Sequence, residues 1–366
     1  MSKGNEKSSY ADAGVDTEAG ERAVDLMRSA IAKSTRSEVV GDFGGFAGLF
    51  DISAFKTMKK PLLATSTDGV GTKIDVAHRM DIHDTVGIDL VAMVVDDLVV
   101  CGAQPLFMTD YIAVGKVHPE RVAAIVTGIA NGCVLAGCAL VGGETAEHPG
   151  LLGVDDYDIA GAGTGVVDAT DLLGPDRVVV GDVAIAIGSS GLHSNGYSLA
   201  RHVAFNVAGL DVHDHVAEFS RTLGEELLEP TRIYAIDILN LIKAVPVHSI
   251  SHITGGGVAA NVARVMPAEL ALEIDRATWS PQAIFAWLQA RGNIDRSEAE
   301  KTFNMGIGML VFVPASAAQL AITSLQASGL SAWVCGEVRS RNAGEVGDAV
   351  AKGGNGGAVT LVGNYN

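Results

Sequence analysis

The sequence predicts an α/β protein of two domains, and three observations support that prediction. The chain has 366 residues, more than one hydrophobic core ordinarily organises. Its hydrophobic fraction of 48% can fill large cores and argues against disorder. Strand-like and helix-like segments alternate along the chain, and glycine-rich turns follow the strands. Glycine occupies 44 positions, about an eighth of the chain against an ordinary usage of roughly 7%.

Residues 1–9 are predicted to be a disordered lead-in, and residues 10–170 a first domain. Val24, Met27 and Ile31 recur at helical spacing, and Pro119 suits the first position of a helix. The expected elements are helix 16–32, packed loop 41–50, strand 61–67, helix 84–101, strand 105–114, helix 119–137, strand 139–141 and strand 157–167.

A second domain is predicted over residues 171–342, because the stretch 168–181 mixes Gly, Pro and charges as domain linkers do. A glycine-rich tail, residues 343–366, is expected to be loosely held apart from a strand at 358–362. The other expected elements are strand 182–187, a helix near 199–207, strand 247–253, a helix ending near 265, and strands 305–313 and 332–338 with helices between them.

Composition excludes several classes of protein. Acidic residues exceed basic ones by 43 to 26, a net charge of −17, which disfavours nucleic-acid binding. The most apolar window, residues 86–108, contains three aspartates and is therefore no membrane span. The N-terminus lacks an apolar signal core. The four cysteines form no C-x-x-C pair and are expected to be buried free thiols. A soluble, cytoplasmic protein is expected.

A strand leads into the turn DGVGTK, residues 68–73, which suits a phosphate ligand. Two glycines allow close backbone approach, Lys73 offers a cation, and Asp68 could hold Mg²⁺. The spacing is not that of a P-loop. A plain glycine turn with a solvated lysine remains the alternative.

Carboxylates predict a metal site. Asp89 and Asp96 fall on nearly the same face of an apolar helix, and Asp97 points about 100° further round. Glu144 follows a short strand and could share a cation with Asp68 and Asp97. Oxygen ligands without His or Cys favour Mg²⁺ over Zn²⁺. Ordinary surface acids, and a turn-capping Glu144, remain alternatives.

Two loops of the second domain could bind an anion. Residues 188–196 (GSSGLHSNG) and 254–257 (TGGG) each follow a strand and precede a helix. His193 and His252 lie beside these loops, where a functional role and a structural role are equally compatible with the sequence. No G-x-S-x-G elbow or other nucleophile signature is present.

Nine segments together resemble the phosphoribosylformylglycinamidine cyclo-ligases, the aminoimidazole ribonucleotide synthetases of purine biosynthesis. The resemblance covers residues 10–338 or so. It is carried by YADAGVDTEAG, STDGVGTK, DDLVVCGAQPLFMTDYIAVGKV, VGGETAEHPG, YDIAGAGTGVV, GLHSNGYSL, LEPTRIY, HITGGG and FNMGIGM. Each segment alone is weak evidence, but nine in order are specific.

The resemblance implies the fold and the reaction. The fold would be the two-domain AIR-synthetase type, an N-terminal sheet completing a barrel across a homodimer beside a C-terminal α/β domain. ATP and Mg²⁺ would convert formylglycinamidine ribonucleotide to aminoimidazole ribonucleotide, ADP and phosphate. ATP would activate the formyl oxygen as a phosphorylated imidate, and an amidine nitrogen would displace phosphate.

The resemblance also implies roles for individual residues. His252 is the preferred proton-transfer residue and His193 the second choice, with Lys73 also expected at the catalytic site. The remaining expectations are ATP binding by Asp68, Gly69, Gly71, Thr72 and Lys73, substrate binding by Ser194, Asn195, Thr254, Gly255, Gly256 and Gly257, and Mg²⁺ binding by Asp68, Asp97 and Glu144, with Asp96 less certain.

Two positions depart from the family pattern. Ala11 replaces a frequent lysine in the first motif, so any phosphate contact by that lysine must be absent or supplied elsewhere. His148 stands where methionine is common, which we interpret as a tolerated change. Rival interpretations are formylglycinamidine ribonucleotide synthetase, another ATP-dependent enzyme of the same superfamily, and an inactive nucleotide-sensing dimer. The continuous match and the intact acids disfavour these rivals.

Overall fold

The computed structural model describes residues 16–41, 44–351 and 353–366. The predicted lead-in at residues 1–9 and the departure at Ala11 lie outside the described residues. Helices occupy α1 Thr17–Ser34, α2 Ile74–Met80, α3 Thr85–Val99, α4 Pro119–Ala136, α5 Tyr197–Arg201, α6 Leu223–Leu227, α7 Ala235–Ala244, α8 Gly257–Ala263, α9 Ala283–Gly292, α10 Arg296–Thr302 and α11 Ala318–Ala327.

Strands alternate with these helices. They are β1 Val39–Val40, β2 Leu49–Phe50, β3 Pro61–Gly69, β4 Gln104–Val114, β5 Ala139–Glu147, β6 Tyr157–Asp168, β7 Asp182–Gly188, β8 His215–Val216, β9 Arg221–Thr222, β10 Ser249–His252, β11 Leu270–Asp275, β12 Ile307–Pro314, β13 Ala332–Ser340 and β14 Ala358–Val362.

The N-terminal half is built on a four-stranded sheet with the order β3-β6-β4-β5. Helix α3 packs on β3 and β6, α4 packs on α3, and α1 packs on α4, so all three lie on one side. The opposite side of the sheet is not covered by these helices, and it exposes Leu63 (71%) and Tyr111 (42%). We call this side the open face.

The C-terminal half is built on a six-stranded sheet with the order β10-β12-β7-β13-β11-β14. Strand β7 at its centre is almost continuously apolar, which fits burial on both faces. The predicted strand at residues 358–362 is present as β14, which pairs in parallel with β11. The mixed α/β fold class is confirmed.

Several predicted elements differ from the observed ones. Within the segment 41–50, expected as a loop, residues 49–50 form strand β2, which pairs with β1, and residues 42–43 lie outside the described residues. Strand β5 runs through Glu147 rather than ending at residue 141, because its glycines pair with β4. The helix expected near 199–207 is the short α5 followed by a π-helical turn, His202–Val207. Helix α7, which packs on α3, was missed.

Helix α3 carries the three aspartates. Twelve of its 15 residues are buried, which explains why its sequence is so apolar. Asp84 is its N-cap residue, but its side chain makes no capping hydrogen bond. No helix in the described parts of the chain is long and apolar enough to cross a membrane.

Candidate active site

Three sequence-predicted loops meet where the two sheets adjoin. Thr72 Oγ1 of the DGVGTK turn lies 3.3 Å from Ser198 Oγ. Ser194 donates a hydrogen bond to the carbonyl of Val70, 3.0 Å away, and so ties the GLHSNG loop to the same turn. Asn195 Oδ1 accepts from the backbone N–H of Gly255 at 3.0 Å. The predicted ATP segment and the two predicted anion loops therefore form one junction.

The TGGG loop is held in shape by a single amide. Asn261 Nδ2 lies 3.0 Å from the carbonyl oxygen of Thr254 and 2.8 Å from that of Gly257. Gly256 and Gly257 adopt positive φ angles of 104° and 74°. A Cβ on Gly257 would also collide with the backbone carbonyl of Glu300 in α10. Glycine is thus required there by conformation and by space.

Lys73 is not the mobile cation expected from the sequence. Its side chain is fully buried, and Nζ contacts Asp89 Oδ1 at 2.9 Å, the His193 carbonyl at 3.1 Å and the Glu229 carbonyl at 2.7 Å. These three acceptors use its three protons. Burial lowers the pKa of Lys73, and the neighbouring Asp89 opposes that shift. The geometry therefore argues against a direct contact with phosphate.

Asp89 and Asp96 are both fully buried, yet neither is free for a metal ion. Asp89 Oδ1 also accepts from the backbone N–H and the hydroxyl of Thr231, at 2.7 and 2.6 Å. Asp96 Oδ1 accepts the backbone N–H of Tyr234 at 3.1 Å. Burial raises the pKa of Asp96 to about 7. Both carboxylates anchor the LEPTRIY motif, residues 228–234.

Asp97 and His252 form a pair across the junction. Asp97 Oδ1 lies 2.9 Å from His252 Nδ1, and its side chain remains 45% exposed. The ring of His252 is buried, and its Nε2 has no hydrogen-bond partner. Burial lowers the pKa of His252, but the Asp97 hydrogen bond and the charges of Asp96, Asp97 and Asp68 raise it above its ordinary value overall. Asp68 therefore lies near enough to act on the same ring.

His193 is held differently from His252. Its backbone has a φ of 62°, and its Nε2 accepts the backbone N–H of Ser190 at 3.2 Å. The neutral ring therefore carries its proton on Nδ1, which has no partner. Burial, with the charges of His252, Lys73 and Arg232, holds the pKa of His193 well below its ordinary value. His193 is thus neutral at pH 7.

The three carboxylates predicted to share one cation are not gathered within one chain. The register of the sheet aligns Asp68 with Gly161, Asp110 and Gly143 across neighbouring strands. This row faces α3, because a Cβ on Gly161 would meet Leu90 of that helix. Glu144 belongs to the adjacent row with Tyr111, on the open face. No group of three His, Cys, Asp or Glu side chains suited to a metal ion occurs among the described residues.

A cavity of about 220 Å³ opens beside the Asp97–His252 pair, and we call it the edge-strand cavity. It lies between β3 and β10, each of which is the outermost strand of its sheet. Its lining includes Thr65, Ser66, Ser251, His252, Thr254 and Arg264. Sequence reasoning missed Ser251 and Arg264, since neither belongs to a recognisable motif.

A larger cavity of about 720 Å³ lies between α1, residues 44–49 and strand β5. Glu144 and Asp110 line it, whereas the DGVGTK turn does not. Asp110 was also missed by sequence reasoning, although it lies two residues after the apolar run 105–108. Burial raises the pKa of Asp110 to about 7. A Cβ on Gly143 would collide with its carboxylate, so glycine is required beside it.

The comparisons with known proteins identify the family. Models described as AIR synthase related protein, N-terminal and C-terminal domains, match residues 49–167 and 179–349. A phosphoribosylformylglycinamidine cyclo-ligase from Syntrophotalea carbinolica is 49% identical over 340 residues, covering 93% of this chain and 97% of that protein. One from Geotalea daltonii is 47% identical over 335 residues, covering 92% and 96%. This chain belongs to the phosphoribosylformylglycinamidine cyclo-ligase family.

Membership of the cyclo-ligase family makes the chain a ligase and confirms the resemblance stated from the sequence. Solved structures agree in fold. Escherichia coli HypE, a hydrogenase maturation protein, has a TM-score of 0.63 at 20% identity and covers 93% of this chain and 92% of its own. Thiamine-monophosphate kinase from Stenotrophomonas maltophilia has a TM-score of 0.62 at 18% identity and covers 94% and 97%. These similarities establish the fold alone.

Proposed function

We propose that this cyclo-ligase closes the imidazole ring of aminoimidazole ribonucleotide from formylglycinamidine ribonucleotide, with ATP as the activating group. The γ-phosphoryl group passes to the formyl oxygen and leaves ADP. The amidine nitrogen then bonds to the formyl carbon, the carbon–oxygen bond to phosphate breaks, and the nitrogen loses a proton. The observation that carries this proposal is the junction of the three loops around the Asp97–His252 pair.

His252 is proposed to move the proton. Asp97 fixes the ring through Nδ1, which leaves the unpartnered Nε2 as the atom that meets the reacting nitrogen. His193 suits this role less well, because its Nε2 already accepts a hydrogen bond from Ser190. Ser194, Asn195 and the residues 254–257 are proposed to shape the substrate side of the junction.

Lys73 is proposed to hold the neighbouring loops in place rather than to take part in the reaction, because its three protons are donated to buried acceptors. Gly69, Gly71 and Thr72 remain proposed ATP contacts. Gly71 has a φ of 70° and open space around its Cα, so a phosphate can approach the backbone there.

Magnesium fits the side of the junction that bears Asp68 and Asp97. Mg²⁺ is commonly bound through one or two carboxylates together with substrate phosphates. Asp68 and Asp97 are both near His252, because the charge of each raises the pKa of that residue. The ion would neutralise charge on the triphosphate. Glu144 lies on the open face of its sheet, so we propose that it reaches such a site only from a second copy of the chain.

A homodimer in the cytoplasm is proposed on the same basis. The open face exposes Leu63 and Tyr111, and among the described residues no strand pairs with the outer side of either edge strand of the N-terminal sheet. A second sheet placed over this face would complete a barrel and cover it. The domain limits 10–170, 171–342 and 343–366 are retained as part of this proposal.

The deciding experiment supplies the purified chain with formylglycinamidine ribonucleotide, ATP and Mg²⁺. Aminoimidazole ribonucleotide should form with one ADP and one phosphate per turnover, without glutamine or ammonia. Omission of ATP is the control. If the complete mixture yields no product, the proposed reaction is wrong.

A further inference from the structure

The edge-strand cavity contains polar atoms that the fold leaves unsatisfied. Ser251 is 2% exposed and His252 is 6% exposed. Ser251 Oγ and His252 Nε2 both lack hydrogen-bond partners. A buried polar atom without a partner destabilises the protein, and a bound ligand that supplies a hydrogen bond removes that cost. Both residues line the cavity, and a polar ligand bound there can supply the missing hydrogen bond to Ser251.

The sign of the ligand's charge follows from Arg264. This residue lies directly after α8, and its side chain lines the cavity. Within the described part of the chain, Arg264 forms no hydrogen bond or ion pair, although most arginines of this acidic protein are paired with a carboxylate. An unpaired guanidinium that faces buried hydrogen-bonding atoms is suited to a phosphate or carboxylate.

Asp97 also lines this cavity, and its charge opposes an anion. Its Oδ1 is engaged by His252 Nδ1, so the imidazole lies between that oxygen and the unpartnered Nε2. Arg264 and Ser251 line the same cavity and supply it with a positive charge and a hydroxyl donor. The volume of about 220 Å³ is roughly that of seven water molecules at about 30 Å³ each. This space is large enough for a phosphate group.

We infer that the edge-strand cavity is a phosphate-binding subsite in which Arg264 and Ser251 contact the phosphate oxygens, while His252 Nε2 remains available to the reacting nitrogen. The inference rests on the proposed function, which provides two sources of that group. One is the 5′-phosphate monoester of the ribonucleotide, and the other is the phosphoryl group that leaves as inorganic phosphate. Arg264 then determines affinity for whichever of the two occupies the cavity.

The test measures binding of inorganic phosphate and of ribose 5-phosphate to the full chain by calorimetry, with saturating ADP present. The variant is Arg264→Met, which removes the charge from an exposed side chain and should not disturb folding. Arg264→Lys retains the positive charge but lacks the planar guanidinium group that can donate two parallel hydrogen bonds. Arg296→Met is the matched control, because Arg296 lines a different cavity and contacts Asn364.

Arg264→Met should weaken binding of one of the two probes by at least about tenfold, since a charge-assisted hydrogen bond contributes about 1.5–3 kcal/mol. The affinity of Arg264→Lys for that probe should lie between the affinities of Arg264→Met and the wild type, and the affinity of Arg296→Met should equal that of the wild type. Selective loss of ribose 5-phosphate identifies the monoester as occupant, whereas selective loss of inorganic phosphate identifies the leaving group. Unchanged affinity for both probes in Arg264→Met overturns the inference.

The outcome is separable from that of the proposed function. If wild-type enzyme forms aminoimidazole ribonucleotide while Arg264→Met binds both probes normally, only the subsite is wrong. If wild-type enzyme forms no product while Arg264→Met loses phosphate affinity, the subsite stands and the proposed reaction fails.

Discussion

Lys73 and Asp89 form a fully enclosed ion pair, with Nζ 2.9 Å from Oδ1 and neither side chain exposed to solvent. The pair links both halves of the chain. Lys73 reaches the carbonyls of His193 and Glu229, and Asp89 receives two hydrogen bonds from Thr231. Removing one member of such a pair leaves a buried charge without its partner.

Lys73→Met should therefore destabilise the fold by about 3–5 kcal/mol. In the double variant Lys73→Met with Asp89→Asn, most of this loss should be recovered, because the amide oxygen still accepts from Thr231 and no charge remains buried. Turnover should stay low in the double variant, since the donor to the His193 carbonyl is gone. Thermal unfolding and kcat are measured, with the exposed Lys60→Met as control. Full recovery of kcat would reduce Lys73 to a stabilising role.

His252→Ala should lower kcat by about 100-fold or more, because a positioned proton-transfer group contributes about 10²–10⁴ in rate. The KM for ATP should remain within about twofold, since the ring acts on the ring-closing step. His248→Ala is the matched control. His248 forms the same kind of pair with Asp182, at 2.7 Å, but lies outside the edge-strand cavity. Equal losses in kcat and in ATP affinity would assign His252 a structural role.

Much of the fold follows from local pattern, and the site follows only in part. Pro119, the periodic apolar residues and the αL glycine after α4 mark that helix at both ends, and α4 lies within a residue of its prediction. The burial of Lys73 could not be predicted, because its acceptors lie 120 and 156 residues further along the chain. The glycines around Lys73 resemble a phosphate turn whether or not the lysine points outward.

The face on which Glu144 lies was equally beyond prediction. Strand alternation assigns faces only when register is known. Here the register between β4 and β5 shifts by one residue between Met108 and Thr109. That irregularity places Gly143 beside Asp110 and turns Glu144 to the open face. The carboxylates were therefore identified by type, while their grouping depended on a tertiary feature that leaves no trace in local sequence.

Asp68→Asn should raise the KM for Mg·ATP strongly and shift the Mg²⁺ dependence of turnover to higher concentration. An amide is a weaker ligand for a hard cation than a carboxylate. Steady-state kinetics over a range of free Mg²⁺ provide the measurement, and Asp176→Asn, which changes an exposed aspartate in the same way, is the control. If the Mg²⁺ dependence of the variant matches that of the wild type, Asp68 does not hold the ion.

Asp110→Asn should stabilise the protein in a pH-dependent way. Burial raises the pKa of Asp110 from 3.8 to about 7, so the folded state favours the neutral carboxyl. Burying Asp110 lowers the free energy of unfolding only where the carboxyl would be ionised in the unfolded chain. This loss is absent below about pH 4, grows as the pH rises towards 7, and is constant above that. At about 1.4 kcal/mol per pKa unit, the full cost reaches about 4 kcal/mol.

Thermal unfolding of Asp110→Asn at pH 5 and pH 8 measures this effect. The gain in Tm over the wild type should be larger at pH 8 than at pH 5. Asp176→Asn changes an exposed aspartate in the same way and should show the same small shift at both values. A gain that is independent of pH would mean that the Asp110 carboxyl is not neutralised by folding.

Mixing two inactive variants tests whether Glu144 acts from a second copy. If each site combines Asp68 of one chain with Glu144 of its partner, then Asp68→Asn and Glu144→Gln are each impaired at both sites of their homodimers. A heterodimer of the two carries both changes in one site and leaves the other intact. Random exchange of subunits should then restore about a quarter of wild-type activity, since half of the dimers are mixed and each has one intact site. Exchange is verified with a tagged subunit. If the mixture then shows no more activity than the two variants contribute separately, Asp68 and Glu144 do not act in the same shared site.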